Sequence, residues 1–265
     1  MKLAFAGKGG VGKTSITAWM ADWLARCGRD VWMIDADTAL SLGQASGLSP
    51  QELPQPLIAR KDLVQERIHA GGFLNLNPDV DDLPAKLAVD VPVSGAPLYA
   101  ASAGRKRLLV MGALTNAGGG CACDGNALLK ALLAHIVMDA SSCVLVDLEA
   151  GVEHLGRGTV AHVDGLVVVS EPSMRSLQTA AEVSRMATDL QLHKQALVLN
   201  RFAADLPVHL PDLNGLPRWH TALPPLHGLI SRQLTEASVL NLPEQTDIDR
   251  TLQAVASHLG FIAQP

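Results

Sequence analysis

Residues 7–14, Gly7-Lys8-Gly9-Gly10-Val11-Gly12-Lys13-Thr14, form the stretch that decides the fold. They match the pattern G-x-x-x-x-G-K-[ST] at every fixed position. Glycines let a backbone curl so that successive N–H groups point inward at phosphate oxygens, and a following helix N-terminus adds positive potential. The pattern therefore predicts that Lys13 contacts the β- and γ-phosphates of a nucleotide and that the Thr14 hydroxyl is a ligand of Mg²⁺.

The surrounding sequence supplies the strand and helix that this loop requires. A short apolar run, Lys2–Ala6, precedes the loop, and helical spacing of apolar residues follows it at Ser15–Arg26. Gly28 stands at a plausible C-cap of that helix. The predicted nucleotide-binding residues of the loop are Gly9, Gly10, Val11, Gly12, Lys13, Thr14 and Ser15.

Short apolar runs alternate with helical stretches along the rest of the chain. Continuous rather than alternating apolar strands, separated by helices, are typical of a parallel sheet covered on both faces. We therefore predict an α/β fold of the three-layer P-loop NTPase kind, with a mostly parallel sheet of about seven or eight strands, and a single domain over residues 1–265. The predicted strands are Lys2–Ala6, Asp30–Ile34, Leu98–Ala101, Leu108–Gly112, Cys143–Val146, Gly165–Val169 and Gln195–Leu199, and the predicted helices are Ser15–Arg26, Asn126–Met138, Ser173–Leu190 and Asp247–His258. Residues 43–97 have the weakest pattern and are interpreted as helical insertions and loops.

The charge balance argues against two classes of partner. The 265 residues include 21 Lys and Arg against 26 Asp and Glu, a formal net charge of −5. Such a chain has no general attraction to nucleic acid or to anionic lipid, so we expect neither partner. The apolar run Leu3–Ala6 is far shorter than a secretory h-region, and no apolar run reaches the length of a membrane span. We therefore expect a cytoplasmic protein with free or metal-bound thiols.

The loop has a second lysine, Lys8, on its early arc. A side chain there is poorly placed to fold back onto the γ-phosphate already served by Lys13. It can instead project outward and meet a nucleotide bound to a facing copy of the protein, and a cation supplied in this way does what an arginine finger does in other systems. The alternative is a solvated loop lysine.

The sequence G-K-G-G-V-G-K-T resembles the deviant Walker A motif of a superfamily of dimeric ATPases. That superfamily includes the septum-positioning and plasmid-partition (MinD/ParA) ATPases, the nitrogenase iron protein and the tail-anchored-protein targeting ATPase. The resemblance implies ATP hydrolysis by a homodimer in which the early lysine, here Lys8, crosses the interface. The resemblance thus makes Lys8, Lys13 and Asp37 the predicted catalytic residues.

Acidic residues follow two of the predicted strands. Asp35 and Asp37 come directly after Asp30–Ile34, and Asp147 ends Cys143–Val146. The carboxyl ends of parallel strands are where α/β sheets place ligands. Asp147 is interpreted as the Walker B carboxylate that holds Mg²⁺ through water, with capping of helices or turns as the plain alternative for the other two.

The superfamily resemblance implies further roles at these strand ends. It assigns Asp37 to the attacking water and places Asp35 near the Mg²⁺ shell, although Thr38 stands where the superfamily often has proline. It also implies that Asn200, after Gln195–Leu199, reads adenine, whereas a loop asparagine is otherwise a common turn former.

The most specific feature after the loop is Gly118-Gly-Gly-Cys-Ala-Cys-Asp124. On an extended segment Cys121 and Cys123 point the same way. Two thiolates do not fill a tetrahedral site, but two copies of the pair across a two-fold axis supply four sulfurs. Such a site suits Zn²⁺ and accepts Ni²⁺ with a flatter geometry. Ordinary buried thiols, or an adventitious disulfide, are the alternative.

Two features narrow the resemblance to the CooC family, ATPases that mature nickel-containing carbon monoxide dehydrogenase. They are the Cys-x-Cys pair and the run Asp147-Leu-Glu-Ala-Gly-Val-Glu-His-Leu-Gly-Arg-Gly-Thr159. It implies a metal (nickel or zinc) held by Cys121 and Cys123 of both subunits, and carbon monoxide dehydrogenase as the client of nickel insertion. Two alternatives stay open: a positioning ATPase of the MinD/ParA kind, and an ATPase that carries an iron–sulfur cluster. The roles of Glu149, Glu153, His154 and Arg157 are left open.

Overall fold

An eight-stranded sheet forms the centre of the computed structural model, which describes residues 1–67, 79–80, 82–112, 128–133, 142–149, 162–202 and 210–261. The strands are β1 (Lys2–Gly7), β2 (Asp30–Ala36), β3 (Val89–Val91), β4 (Lys106–Val110), β5 (Ser142–Leu148), β6 (Gly165–Ser170), β7 (Gln195–Asn200) and β8 (His220–Leu223). Their order across the sheet is β3-β4-β2-β5-β1-β6-β7-β8. Only the edge strand β3 runs antiparallel to its neighbour; every other described pairing is parallel. The predicted α/β fold with a mostly parallel sheet is confirmed.

Helices connect the strands and cover the sheet. They are α1 (Lys13–Arg26), α2 (Leu42–Ala45), α3 (Lys61–Arg67), α4 (Leu83–Leu87), α5 (of which 128–133 is described), α6 (Met174–Asp189), α7 (His227–Arg232) and α8 (Gln245–His258), with a 3₁₀ turn at Leu57–Ala59. Among the helices in these ranges, none combines the length and the apolar character needed to cross a membrane.

The central strands are buried because successive side chains enter two different cores. Leu3 and Phe5 of β1 pack into the core that contains α1 and α8. Ala4 and Ala6 of the same strand pack into the core that contains α5 and α6. A strand covered on both faces must be apolar at every position, which explains the continuous rather than alternating runs in the sequence.

Most predicted elements are confirmed, with ends that differ by two residues or fewer. Six of the seven predicted strands and three of the predicted helices have this agreement, and the described part of the fourth helix, 128–133, is helical. The strand predicted at Leu98–Ala101 is wrong. That segment lies outside the sheet, with Leu98 bonded through its N–H to the carbonyl of Arg26 and Tyr99 70% exposed. Strands β3 and β8 were not predicted, because three- and four-residue edge strands give too short a pattern.

A cluster of four charged side chains anchors the far end of α1. Asp22 accepts from Lys106 Nζ at 2.7 Å, from Arg26 Nε at 3.2 Å and from the Ser94 N–H at 2.9 Å. Arg26 also forms a bidentate pair with Asp249 of α8. Burial lowers the pKa of Lys106, and the adjacent Asp22 opposes that shift. The cluster ties α1 to β4 and to α8.

Candidate functional site

The loop between β1 and α1 has the backbone that the sequence predicts. Gly7 has φ 149° and Gly12 has φ 97°, both in the region that favours glycine. A Cβ on Gly7 would lie 2.2 Å from the carbonyl oxygen of Val169, and a Cβ on Gly12 would lie 2.4 Å from Asn200 Nδ2. Both positions therefore require glycine for conformation and for space.

Lys13 begins α1 and its side chain lies over the loop. The residue is 5% exposed, and its Nζ donates to the carbonyl oxygen of Lys8 at 3.4 Å. Lys13 lines the same cleft as Gly9, Gly10 and Gly12, where loop N–H groups can receive phosphate oxygens. Lys8 itself is partly exposed, as are Thr14 and Ser15, whereas Gly9 and Gly10 are exposed.

Asp147 lies at the floor of the site, next to Thr14. It is fully buried in β5, and its Oδ2 accepts from Thr14 Oγ1 at 2.6 Å. Thr17 Oγ1 is 3.5 Å from its other oxygen. Burial raises the pKa of Asp147 to about 7, the Thr14 hydrogen bond opposes this, and the nearby Asp35 carboxylate raises the pKa further. The arrangement leaves a buried carboxylate that a bound cation would stabilise.

Asp35 sits beside Asp147 because β2 and β5 are neighbours in register. Its Oδ1 accepts from the Asp37 N–H at 3.2 Å and its Oδ2 from the Leu42 N–H at 3.0 Å. Burial raises the pKa of Asp35 to about 6, against those two hydrogen bonds. Asp35 therefore braces the segment that follows β2, and its predicted contact with the Mg²⁺ shell stays a prediction.

Asp37 lines the cleft described below, and its Oδ1 accepts from the Ala39 N–H at 2.9 Å. The Thr38 hydroxyl lies 3.4 Å from that same oxygen and 3.2 Å from Glu149 Oε1. Threonine in place of the superfamily's usual proline thus joins the segment after β2 to the segment after β5. The sequence had left Glu149 without a role. Only its position two residues after Asp147 could have indicated that it bonds to Thr38.

These residues surround a cleft of about 450 Å³ at the carboxyl edge of the sheet. Its size is in the range of sites for small ligands. The lining residues are Gly9, Gly10, Gly12, Lys13, Thr14, Ser15, Asp37, Thr38, Ala39, Ser41, Glu149 and Arg201.

Asn200 and Arg201, at the end of β7, contact backbone carbonyls of the loop, and Arg201 also lines the cleft. Asn200 is 6% exposed, and its Nδ2 donates to the Val11 carbonyl at 2.7 Å. Its Oδ1 accepts from the Arg201 N–H at 3.0 Å. The Arg201 guanidinium is 3.4 Å from the Gly10 carbonyl and pairs with Glu171. Sequence reasoning assigned Asn200 to adenine and missed Arg201, which differs from other surface arginines only in following Asn200.

Several predicted residues lie outside the described part of the chain. Cys121 and Cys123 are among them, and so are Glu153, His154 and Arg157, whose roles the sequence left open. Across the residues that are described, no group of three or more His, Cys, Asp or Glu side chains is arranged to hold a metal ion.

Comparison with known proteins identifies the family. Residues 3–232 match the family model described as the CobQ/CobB/MinD/ParA nucleotide binding domain. The chain is 42% identical over 214 residues to the carbon monoxide dehydrogenase accessory protein CooC of Rhodospirillum rubrum, covering 78% of this chain and 77% of that protein. It is 35% identical over 206 residues to an uncharacterized ATP-binding protein of Methanocaldococcus jannaschii, covering 76% and 75% of the two chains.

Solved structures with low sequence identity share the fold. A chain of the MinC:MinD cell division protein complex of Aquifex aeolicus superposes with a TM-score of 0.68 at 20% identity, over 100% of this chain and 97% of that one. A ParA family ATPase from Chlorobium tepidum superposes with a TM-score of 0.64 at 20% identity, over 98% of each chain. With its phosphate loop, its buried Asp147 beneath Thr14 and these relatives, the chain is an ATPase that belongs to the CobQ/CobB/MinD/ParA nucleotide-binding family.

Proposed function

We propose that the protein is a homodimeric Mg²⁺-ATPase that assists nickel insertion into carbon monoxide dehydrogenase. The observation that carries the ATPase half is the Thr14 hydroxyl 2.6 Å from the buried Asp147 carboxylate, at the floor of a cleft that also contains Lys13. The nickel half is supported by 42% identity to a carbon monoxide dehydrogenase accessory protein and by the Cys-x-Cys pair.

The donor set fits Mg²⁺, because a hydroxyl and carboxylates are the hard oxygen ligands this ion prefers. Thr14 and Asp147 would hold it, with Asp35 close by. When bound, Mg²⁺ would supply positive charge that offsets the negative charge developing on the phosphate oxygens during phosphoryl transfer.

Side chains of the protein then stabilise the phosphates and orient the attacking water. Lys13, held over the loop by the Lys8 carbonyl, stabilises the β- and γ-phosphate oxygens. Asp37 lines the cleft and orients the attacking water toward the γ-phosphorus. The products are ADP and phosphate, with the leaving oxygen on the β-phosphate.

Lys8 has a role that a single chain cannot supply. Its backbone carbonyl accepts a hydrogen bond from Lys13, while the residue itself is partly exposed. We propose that it reaches the triphosphate of a facing copy, as the superfamily resemblance implies. Two copies then also bring together four thiolates from Cys121 and Cys123, which hold nickel as cargo, with Zn²⁺ as the other metal such a site accepts.

We also propose that residues 1–265 form a single domain that works in the cytoplasm. The strands of one sheet come from residues between Lys2 and Leu223, and the family match covers residues 3–232.

Hydrolysis and metal binding test the two halves separately. We expect Lys13→Ala to abolish ATP binding, and Lys8→Ala to retain ATP binding but to lose hydrolysis and ATP-dependent dimers in light scattering. For metal, equilibrium dialysis with Ni²⁺ and with Zn²⁺ should give one ion per dimer, lost in Cys121→Ser/Cys123→Ser.

Cys27→Ser is the matched control for metal binding. Burial raises the pKa of the Cys27 thiol to about 11, so it stays protonated and makes a poor metal ligand. An unchanged ATPase rate in Lys8→Ala contradicts the shared site, and full metal binding in the double Ser variant contradicts the cysteine cage. Pelleting with anionic vesicles or DNA in the presence of ATP would instead favour a positioning ATPase, and visible absorption after anaerobic purification would favour an iron–sulfur carrier.

A further inference from the structure

The phosphate loop has an outer side as well as an inner one. When successive N–H groups point inward at phosphates, the carbonyls of the same peptides point outward and need partners of their own. Two consecutive carbonyls of the loop, those of Gly10 and Val11, accept from two consecutive residues of the chain. Asn200 Nδ2 donates to Val11 O at 2.7 Å, and the Arg201 guanidinium lies 3.4 Å from Gly10 O.

The orientation of the Asn200 amide is fixed by its neighbours. The Arg201 N–H donates to Asn200 Oδ1 at 3.0 Å, so the NH₂ group is the one that faces the loop. The amide fits only because Gly12 lacks a side chain, since a Cβ there would lie 2.4 Å from Asn200 Nδ2. Asn200 is 6% exposed, so water does not readily replace it as the partner of Val11.

Arg201 is held in place by its backbone conformation and by an ion pair outside the loop. Its φ of 59° is in the left-handed region, which non-glycine residues adopt only when the surroundings hold them there. Its guanidinium pairs with Glu171, which directly follows β6. The ends of β6 and β7 therefore act together on the loop that leaves β1.

We infer that Asn200 and Arg201 are positioning residues that set the shape of the phosphate loop, and that Asn200 governs the binding of the phosphate chain whichever base is attached. The inference rests on the proposed function, because it assigns to this pair a role in nucleotide binding at the same site. It differs from the role given by the superfamily resemblance, in which Asn200 reads adenine. A residue that reads only the base has no effect on a ligand that has no base.

Magnesium tripolyphosphate is the ligand that separates the two roles. We expect Asn200→Ala and Asn200→Asp to weaken its binding about tenfold or more in isothermal titration calorimetry, because Val11 O loses its donor or faces a carboxylate. Binding of Mg-ATP and Mg-GTP should weaken by the same factor. Arg201→Met removes the longer, exposed contact to Gly10 O together with the exposed ion pair to Glu171, and it should weaken tripolyphosphate binding by about twofold to fivefold.

Gln195→Ala is the matched control. Gln195 is also a buried amide on β7, but it lies at the other end of the strand and its Nε2 donates to Ser184 O and Leu192 O, far from the loop. It should lower the unfolding midpoint without changing tripolyphosphate affinity.

The outcomes separate failure of this inference from failure of the proposed function. If wild-type protein binds magnesium tripolyphosphate and Mg-ATP, but the Asn200 variants lose only the preference for ATP over GTP, the positioning role is wrong. Equal loss of tripolyphosphate binding in Gln195→Ala would also overturn it, since general loosening would then explain the effect. If wild-type protein binds neither ligand, the proposed function itself fails. Should Asn200→Ala not fold, Arg201→Met still decides, because unchanged tripolyphosphate affinity in that variant contradicts the inference.

Discussion

Replacing Asp147 by asparagine should make the nucleotide-free protein more stable while it destroys magnesium-dependent activity. Asparagine keeps the size of the side chain and an oxygen that can accept from Thr14, but it removes a charge that is fully buried. Burial raises the pKa of Asp147 from 3.8 to about 7, a difference of roughly 3 pH units. At about 1.4 kcal/mol per unit, the ionised carboxylate disfavours folding by roughly 4 kcal/mol above neutral pH.

The sign and the pH range follow from that displaced pKa. A carboxyl group whose folded-state pKa is raised contributes stability below its unfolded pKa and loses it as pH rises through the folded pKa. Wild-type protein should therefore lose this contribution between about pH 4 and about pH 7. The advantage of Asp147→Asn should be below about 1 kcal/mol at about pH 4 and should reach about 2–4 kcal/mol at about pH 8.

Thermal unfolding of metal-free and nucleotide-free protein measures this difference. An advantage of about 2–4 kcal/mol corresponds to a rise in Tm of roughly 4–7 °C for a chain of this size. In the same variant, magnesium-dependent hydrolysis should fall by about 100-fold or more, since the carboxylate that would hold the ion is gone. An Asp147→Asn variant that is less stable than wild type at about pH 8, or whose advantage does not change with pH, would refute the reasoning.

Three other substitutions, two of them with a matched control, test the frame of the site. Lys106→Met should destabilise the protein by about 3 kcal/mol in urea unfolding, because it leaves a buried carboxylate short of a partner, whereas the exposed Arg105→Met should change stability by less than about 0.5 kcal/mol. Gly7→Ala should cost more than about 4 kcal/mol by collision with a backbone carbonyl of β6, while Gly10→Ala meets open space and should cost only about 1–2 kcal/mol of backbone strain; equal losses would contradict the steric argument. Thr38→Val should lower kcat severalfold with KM and Tm unchanged, since it cuts the exposed hydrogen bond to the carboxylate that follows β5; an unchanged kcat would mean that this link has no part in hydrolysis.

The fold could be predicted because its strong signals are local. A strand such as β1, covered on both faces, is apolar throughout, and the phosphate loop fixes the strand before it and the helix after it. The edges could not be predicted in the same way. Val89–Val91 is three residues long with one exposed aspartate, and Leu98–Ala101 is apolar but packs outside the sheet.

The site could be predicted as a set of residues but not as a network. The sequence indicated Thr14 and Asp147, whose pairing follows from β1 and β5 being neighbours in the sheet. It did not indicate that Asn200 touches Val11, because that contact joins residues 189 positions apart. Nor did it indicate that Lys106, in the middle of the basic run Arg105–Arg107, is 1% exposed. Such contacts depend on long-range packing, which no local pattern contains.

The anchoring of α1 limits which parts of the molecule can move when nucleotide is exchanged. Its middle is fixed by Trp19 Nε1, which donates to Val239 O at 2.7 Å, and its end is fixed through Arg26 and Asp22 to α8 and β4. Sliding or rotating this helix would break buried charge pairs, so we expect the helix to keep its position while ATP binds and leaves. We therefore expect any movement that reports the state of the nucleotide to arise outside α1, for example in the segment after β2, with the sheet and α1 as a stationary platform beneath it.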